Sequence, residues 1–358
     1  MAENNAISGL LATRPKIILA GREDIDLSQA LLRMSVRENV QGLYRADLRF
    51  GNWGPKNNSI GFLYFDRKKI DFGKAVQVKL ENDLLFDGRV SAIEADFGEG
   101  KSPELSILLE DRLQDLRMTR RTRTFTDVSD ADVVRRVANG HSLQATIDLT
   151  GPTHKTLAQV NQSDLAFIRE RARAVDGEIW IDGQKLFAKK RSSRTGTPMK
   201  LKYGAELREF CALADLAHQR TAVTVGGWDV GGKRAIKEKA DEAAIRSEIG
   251  SDSSGAKVLR DAFGERKEAV AHTVPLTSDE ARAHAEAWFR TISRRFLVGR
   301  GLAQPNGKLR VGAWIELDGL GSLFNGKYYL AEVQHVFDGS CGLRSEFVAE
   351  RPGLGRAE

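Results

Sequence analysis

The sequence predicts a mainly β fold with α+β insertions, in which two antiparallel barrel or sandwich domains are related by internal duplication. Three observations lead there. The first hundred residues alternate apolar and polar with a period of two, which puts successive side chains on opposite faces of extended strands. The block Gly73, VQVKL, LLFDGRV, Phe97, ELSILLEDR returns in the same order near the other end as Gly312, WIEL, SLFNGKYY, Phe337, RSEFVAER. Between the two blocks the apolar spacing becomes helical.

In ALLRMSVRENVQGLYRADLRF, Ala30, Leu32, Met34 and Val36 share one face of a strand. After a turn over residues 38–42, Tyr44, Ala46, Leu48 and Phe50 do the same, giving an antiparallel hairpin. AVQVKL, LLFDGRVSAIEADF and ELSILLED continue the pattern. In LLFDGRV (84–90), Phe86 and Gly88 flank a turn, and LFNGKYY (323–329) is its copy, with Phe324 and Gly326. Residues 1–118 form the first barrel, completed by 200–230.

The run RMTRRTRTFTD, with Arg117, Arg120, Arg121 and Arg123, reads as a solvated connector. Beyond it Ser129 caps a helix with Val133, Val134 and Val137 at helical spacing and Gly140 as its stop. Ser163 opens SDLAFIRERARAVDG, which turns Leu165, Ile168, Ala172 and Val175 inward and ends at Gly177. EIWIDGQKLFAKK pairs two strands around Asp182 and Gly183, a strong hairpin signal. Residues 119–199 are thus a compact α+β insert.

Residues 231–300 read as a polar loop and helix connector, with a mobile centre at 250–255. Thr277 and Glu280 box the helix TSDEARAHAEAWFRTISRRF, where Ala281, Ala285, Trp288 and Ile292 share a face. Residues 301–358 form the second barrel, to which strands from 200–275 can be added.

Composition limits the function. A chain of 358 residues suits two to four domains, and 41% hydrophobic with 29% charged residues is ordinary for a folded protein. A net charge of +6, from 55 basic and 49 acidic residues, is a mild bias that fits a mixed solvated surface better than a nucleic-acid footprint. No apolar run reaches membrane-spanning length, so no membrane anchor is expected. The first residues lack the basic-then-apolar order of a signal peptide, so synthesis in the cytoplasm is expected. Cys211 and Cys341 read as buried thiols in a reducing compartment, with one disulfide left open.

No catalytic, cofactor or metal residue is assigned. GWDVGGK, residues 227–233, approaches the phosphate-binding loop, but Arg234 stands where Ser or Thr should bind magnesium. The six histidines (141, 154, 218, 272, 284, 335) are scattered, and His272 and His284 are too far apart for a helical metal pair. Asp127, Asp130 and Asp132 cluster, but the last two fall in a first helical turn, where the dipole favours acids. Trp180, Trp228, Trp288 and Trp314 fit separate cores rather than one aromatic platform. The positions that stand out are structural: Gly73, Phe86, Gly88, Gly177, Trp228, Asp229, Gly312, Phe324 and Gly326.

QSDLAFIRERARAVDGEIWIDGQKLF resembles a segment of the baseplate hub proteins of contractile phage tails, the late control protein D family, and of the related VgrG spikes of type VI secretion. VTVGGWDVGGKRAI is similar to that family's Gly-Trp-Asp stretch, which gives Trp228 and Asp229 a structural account. LRVGAWIELDGLGSLFNGKYYLAEVQHVFD resembles its closing barrel, with Tyr328 or Tyr329 after the turn and Val-x-His at 333–335. The resemblance runs from about residue 15 to 351, with the motifs in the family's order.

The resemblance implies a non-enzymatic homotrimer with two tube-like antiparallel β-barrel domains per subunit, six quasi-equivalent barrels in a ring. Such a ring is a symmetry adaptor between a sixfold inner tail tube and a threefold central spike, framing the exit channel. Expected partners are the inner tail tube protein, a separate central spike protein and other baseplate proteins, with nucleic acid at most passing through the channel. VgrG chains continue into a spike, whereas this sequence shows no spike repeats after the second barrel. That favours a phage tail or phage-tail-like particle. The alternative is a peptidoglycan-binding or wall-degrading tail-associated enzyme, whose insert would grip the wall. A basic nucleic-acid binder, which predicts steep salt dependence, is a third reading.

Overall fold

The structure is a computed structural model that describes residues 14–194, 196–271 and 274–356. The expectations for the N-terminal segment and for His272 fall outside the described residues. Two compact units are each assembled from separate stretches of chain. One comprises Met1–Gln114, Leu302–Val311 and Glu332–Phe347; the other comprises Asp115–Gly301, Gly312–Ala331 and Val348–Glu358.

In chain order the first stretch holds β1 (Lys16–Leu19), β2 (Arg22–Glu23), α1 (Ile25–Ala30), β3 (Leu31–Asn39), β4 (Arg45–Gly51), β5 (Trp53–Lys56), β6 (Ser59–Phe62), β7 (Ala75–Leu80), β8 (Asp83–Asp96) and β9 (Glu104–Glu110). Asp24 caps α1 by accepting from the Leu27 N–H. β3 pairs with β4, β4 with β9, β9 with β8, β8 with β7 and β7 with β1, all antiparallel. Period two holds on β4, where Ala46, Leu48 and Phe50 are buried. On β3 the register shifts between Leu31 and Arg33, so Leu31, Met34 and Val36 are buried while Leu32 is exposed. Ala30 belongs to α1 and not to the strand face expected for it.

The middle of the chain holds α2 (Leu113–Arg117), β10 (Arg120–Ser129), α3 (Asp130–Gly140), β11 (Gln144–Asp148), β12 (Thr153–Ser163), α4 (Asp164–Ala174), β13 (Gly177–Asp182) and β14 (Lys185–Lys190). β10 pairs with β12, and β11, β14 and β13 form a second small sheet against α3 and α4. Of the arginine run expected as a connector, Arg120, Arg121 and Arg123 therefore lie on strand β10, while Arg117 ends α2. Ser129 and Asp132 make a reciprocal capping box on α3, and Val133, Val134 and Val137 are buried. Gly140 is still helical, and His141 is the C-cap.

The rest comprises β15 (Met199–Lys202), β16 (Leu207–Ala214), β17 (Ala222–Asp229), β18 (Arg234–Asp241), α5 (Arg246–Ile249), β19 (Ser253–Ser254), α6 (Gly255–Phe263), β20 (Lys267–Val270), α7 (Ser278–Arg294), β21 (Leu297–Ala303), β22 (Trp314–Asp318), β23 (Gly326–Asp338), β24 (Gly342–Arg351) and β25 (Gly353–Leu354). The expected loop at 250–255 contains β19, which pairs with β25, and the N-cap Ser254 of α6. Thr277 caps α7, whose Ala281, Ala285 and Phe289 pack on Val223, Val225 and Ile236 of the sheet β18-β17-β20. The inward aromatic is Phe289, fully buried. Trp288, expected there, keeps 38% exposure and donates to Glu268. Cys211 and Cys341 are both free and exposed, contrary to the expected buried thiols, because each sits on the outward side of an alternating strand or in a turn.

The duplication is visible as strand order. In chain order β1, β3, β4, β7, β8 and β9 assemble as β3-β4-β9-β8-β7-β1, and β15, β16, β21, β22, β23 and β24 assemble as β16-β21-β24-β23-β22-β15. One feature differs: β1 runs antiparallel to β7, while β15 runs parallel to β22. A left-handed glycine opens each matching hairpin. Gly73 (φ 75°) donates to Val90, whose N–H donates to Lys74; Gly312 (φ 87°) donates to Leu330, whose N–H donates to Ala313. Closure of either strand set into a continuous barrel is not found among the described residues.

The shared turn does not survive. Phe86 to Gly88 lie inside β8, opposite Val78 to Val76, whereas Phe324 and Asn325 lie in a turn before β23. Aligned on the glycine brackets, Phe86 corresponds to Gly326, not Phe324. The sequence match was two residues out of step although the repeat it pointed to is present.

Candidate functional site

Several buried polar side chains of the second unit are gathered into networks. Asp164 at the start of α4 is buried and accepts from Arg121 Nε at 3.1 Å and Arg123 Nη2 at 2.6 Å, both on β10, with His141 Nε2 at 2.9 Å. Burial alone would raise its carboxyl; hydrogen bonds from Gln159 and His141 and the two arginine charges outweigh it and hold it below the ordinary value. Arg123 also lies over the Phe125 ring. Asp130 on α3, 1% exposed, accepts from Arg171 Nε of α4 at 2.6 Å and sits 3.4 Å from His154 Nε2 of β12. Against the cost of burial, His154 and Arg171 keep it below the ordinary carboxylate value.

Two further networks centre on buried arginines. Arg294, at the last turn of α7, donates to Glu248 at 2.6 and 2.8 Å and to Asp176 Oδ2 at 2.9 Å. Burial would lower its guanidinium, but the two carboxylates raise it, so it stays charged. Arg191 donates to Glu350 at 2.7 Å and Glu178 at 3.2 Å, and lies over the Tyr329 ring. The Tyr329 hydroxyl donates to Glu178, and burial with that carboxylate pushes the phenol well up. Arg194 pairs with Glu178 at 2.8 Å, covers Trp180 at 3.9 Å, and accepts the Trp314 indole N–H on its carbonyl. Trp180 and Trp314 thus share one cluster instead of the separate cores expected.

The first unit has a cleft of about 930 Å³ on its sheet, lined by residues including Arg33, Asp47, Arg49, Glu94, Asp338 and Arg344. Two of its arginines are paired: Arg49 lies 3.3 Å from Glu104 and Arg344 lies 2.8 Å from Asp338. Ser340, Arg344 and the Cys341 N–H hold Asp338 well below the ordinary range. Among the described residues no cluster of His, Cys, Asp and Glu has metal-binding form.

The nine motif residues are not brought together into one site. Gly88 is required by approach, since a Cβ would overlap the Glu110 carbonyl and the buried Phe86 ring. Gly177 opens β13 against Leu149 and the Ala172 carbonyl, while the left-handed residue after α4 is Asp176 (φ 64°). Gly312 combines positive φ with the Arg194 guanidinium in its Cβ position, and Gly326 (φ 132°) lies against that of Arg351. The Phe324 carbonyl accepts from the Tyr328 hydroxyl at 2.7 Å. Asp229 closes the β17–β18 turn by accepting from the Gly232 N–H and Arg234, so GWDVGGK is a hairpin turn; Trp228 beside it is 49% exposed. The sequence missed Asp164, Asp176, Glu178 and Arg294; only Asp164 had a usable signal, the basic run whose Arg121 and Arg123 it pairs with.

The duplicated six-strand order with its α+β insert is an arrangement with counterparts among solved structures. A 43 kDa tail protein of prophage MuSo2 from Shewanella oneidensis aligns with a TM-score of 0.70 at 12% identity, over 95% of this chain and 99% of that one. A tail protein from Neisseria meningitidis MC58 aligns at 0.68 and 11%, over 96% and 98%. An E. coli component of the type VI secretion system, described as similar to T4 bacteriophage tail proteins gp27 and gp5, aligns at 0.56 and 13%, over 96% and 79%. At these identities the likeness is one of fold. Residues 14–338 match the family model described as Alg8 N-terminal domain, and the chain belongs to that family. No curated protein matches the chain.

Proposed function

We propose that the chain is a non-enzymatic structural hub of a contractile tail, akin to the late control protein D hubs. It is a homotrimer that joins a sixfold inner tube to a threefold central spike and frames the exit channel. The observation that supports this reading is the strand order that occurs twice in one chain. Three copies carry six similar strand sets, so one ring can meet sixfold and threefold neighbours at once. Whole-chain fold likeness to tail proteins supports the setting. Its partners are the tube protein, a separate spike protein and other baseplate proteins, and it is assembled into the tail after synthesis in the cytoplasm. Light scattering of the purified chain, alone and with the spike protein, tests this: a mass of three subunits is expected, and a monomer in both samples would refute it.

A further inference from the structure

We propose that the β5–β6 hairpin of the first unit is a docking knuckle for an apolar, acidic-rimmed surface on a threefold-symmetric partner protein, the spike. This rests on the trimeric hub reading above. Trp53 of β5 lies directly opposite Phe62 of β6, with ring centroids 5.1 Å apart. Phe62 in turn lies 5.1 Å from Phe65 and 5.9 Å from Phe97, which arrives from the β8–β9 turn. Trp53, Phe62 and Phe97 nonetheless keep 46%, 41% and 61% of their surface exposed. Rings that already pack on one another lose little freedom on binding, and clustered exposed aromatics are the side chains that anchor interfaces. The base is fixed as well: the Lys56 ammonium donates to the Phe62 carbonyl at 2.9 Å and to Asp66 at 3.2 Å.

The duplication indicates which neighbour the knuckle fits. The hairpin occupies the connection between β4 and β7, while the matching connection between β21 and β22, residues 304–313, contains no strand. A framework present twice per chain therefore carries the knuckle once, three times per trimer. A sixfold tube offers six equivalent surfaces, half of which would meet a repeat without it. A threefold partner is matched one to one. Residues 51–74 also hold five Lys and Arg (Lys56, Arg67, Lys68, Lys69, Lys74) against two Asp (Asp66, Asp71). Lys56 and Arg67 pair with Asp66 and Asp71, and Lys69 pairs with Asp24 and Asp26, which leaves Lys68 and Lys74 without a paired carboxylate among the described residues, so complementarity calls for an acidic rim.

The test compares the full-length chain with Trp53→Ser/Phe62→Ser and, separately, Lys68→Glu. Native mass is read by light scattering, and affinity is measured for the purified spike and tube proteins of the same particle. The expected result is an unchanged mass, at least a tenfold loss of spike affinity in the double variant, a several-fold loss in Lys68→Glu, and unchanged tube affinity. Unchanged spike affinity, or a loss confined to the tube, overturns the proposal. So does capture of the wild type, but not the double variant, by anionic phospholipid vesicles while spike affinity holds. A monomeric wild type whose double variant still loses spike affinity would refute the trimer and leave the docking surface standing.

Discussion

His335 on β23 is fully buried, and both of its ring nitrogens are engaged. Nε2 is 3.1 Å from the Leu309 carbonyl, which can only accept, so Nε2 carries the proton; Nδ1, 3.0 Å from Ser345 Oγ, accepts from that hydroxyl. Burial, followed by the Arg310 charge, lowers its pKa from 6.5 to about 4. Between those values the unfolded chain binds a proton that the folded one does not, so stability falls as pH drops from 6.5 to about 4, by roughly 3 kcal/mol. Urea titrations across that range should show His335→Gln with a correspondingly flatter pH dependence; parallel curves would mean the imidazole is not held neutral. The two bracket glycines give a second residue-scale prediction. Gly73→Ala meets open space and should cost about 1–2 kcal/mol for left-handed backbone alone. Gly312→Ala must also displace Arg194 from Glu178 and should cost about twice as much or more by denaturation midpoint. Sequence alone marked both glycines as equivalent, because the arginine that separates them is supplied from 118 residues away in the chain.

Elements were legible where their signals are local. The caps Ser129, Ser163 and Thr277, the Asp182-Gly183 hairpin turn and the inward faces of α3 and α4 all follow from spacing within a few residues. They failed where the deciding partner is remote. Arg120, Arg121 and Arg123 lie on strand β10 because its backbone pairs with β12, and Asp164, some forty residues on, takes up Arg121 and Arg123. Trp288 and Phe289 are adjacent on α7, and periodicity cannot decide which of two neighbouring aromatics faces a core. Strand β18 was hidden because only Ile236 and Ala240 along it are buried. The remote pairs also make the sharpest element-scale prediction. Asp176→Ala removes one of two carboxylates from Arg294, which is 4% exposed at the end of α7, and should cost about 3–5 kcal/mol. Asp261→Ala, which breaks an exposed pair with Lys257, should stay within about 0.5 kcal/mol. Adding Arg294→Met and Glu248→Gln to Asp176→Ala should recover part of the loss, since no member of the network is then a buried charge short of a partner. Equal costs for the two single variants would show that the Arg294 network is not a structural lock.

At the scale of the whole molecule, the first unit needs strands from both ends of the chain. Residues 332–338 of β23 pair with β3, so a fragment ending near residue 118 would leave that edge open. It would also strand Glu38, 1% exposed, which accepts from the Arg310 guanidinium and from the Val311 N–H at 3.1 Å. Arg310 additionally donates to the Leu84 carbonyl at 2.9 Å. Losing the partners of a buried carboxylate costs about 3–5 kcal/mol. Losing the burial of Leu309, Val311, Val333 and Phe337 removes about 1.5–3 kcal/mol for each side chain. Together these match or exceed the roughly 5–15 kcal/mol that holds an ordinary domain folded. Residues 14–118 alone should therefore show no cooperative thermal transition by circular dichroism, while the full chain does. Supplying residues 302–347 as a separate polypeptide should restore amide protection on β3 first, because that edge is where the returning strand pairs. A cooperative melt from the 14–118 fragment would mean the first strand set is self-sufficient, and the returning segments would then be additions to a finished domain rather than parts of it.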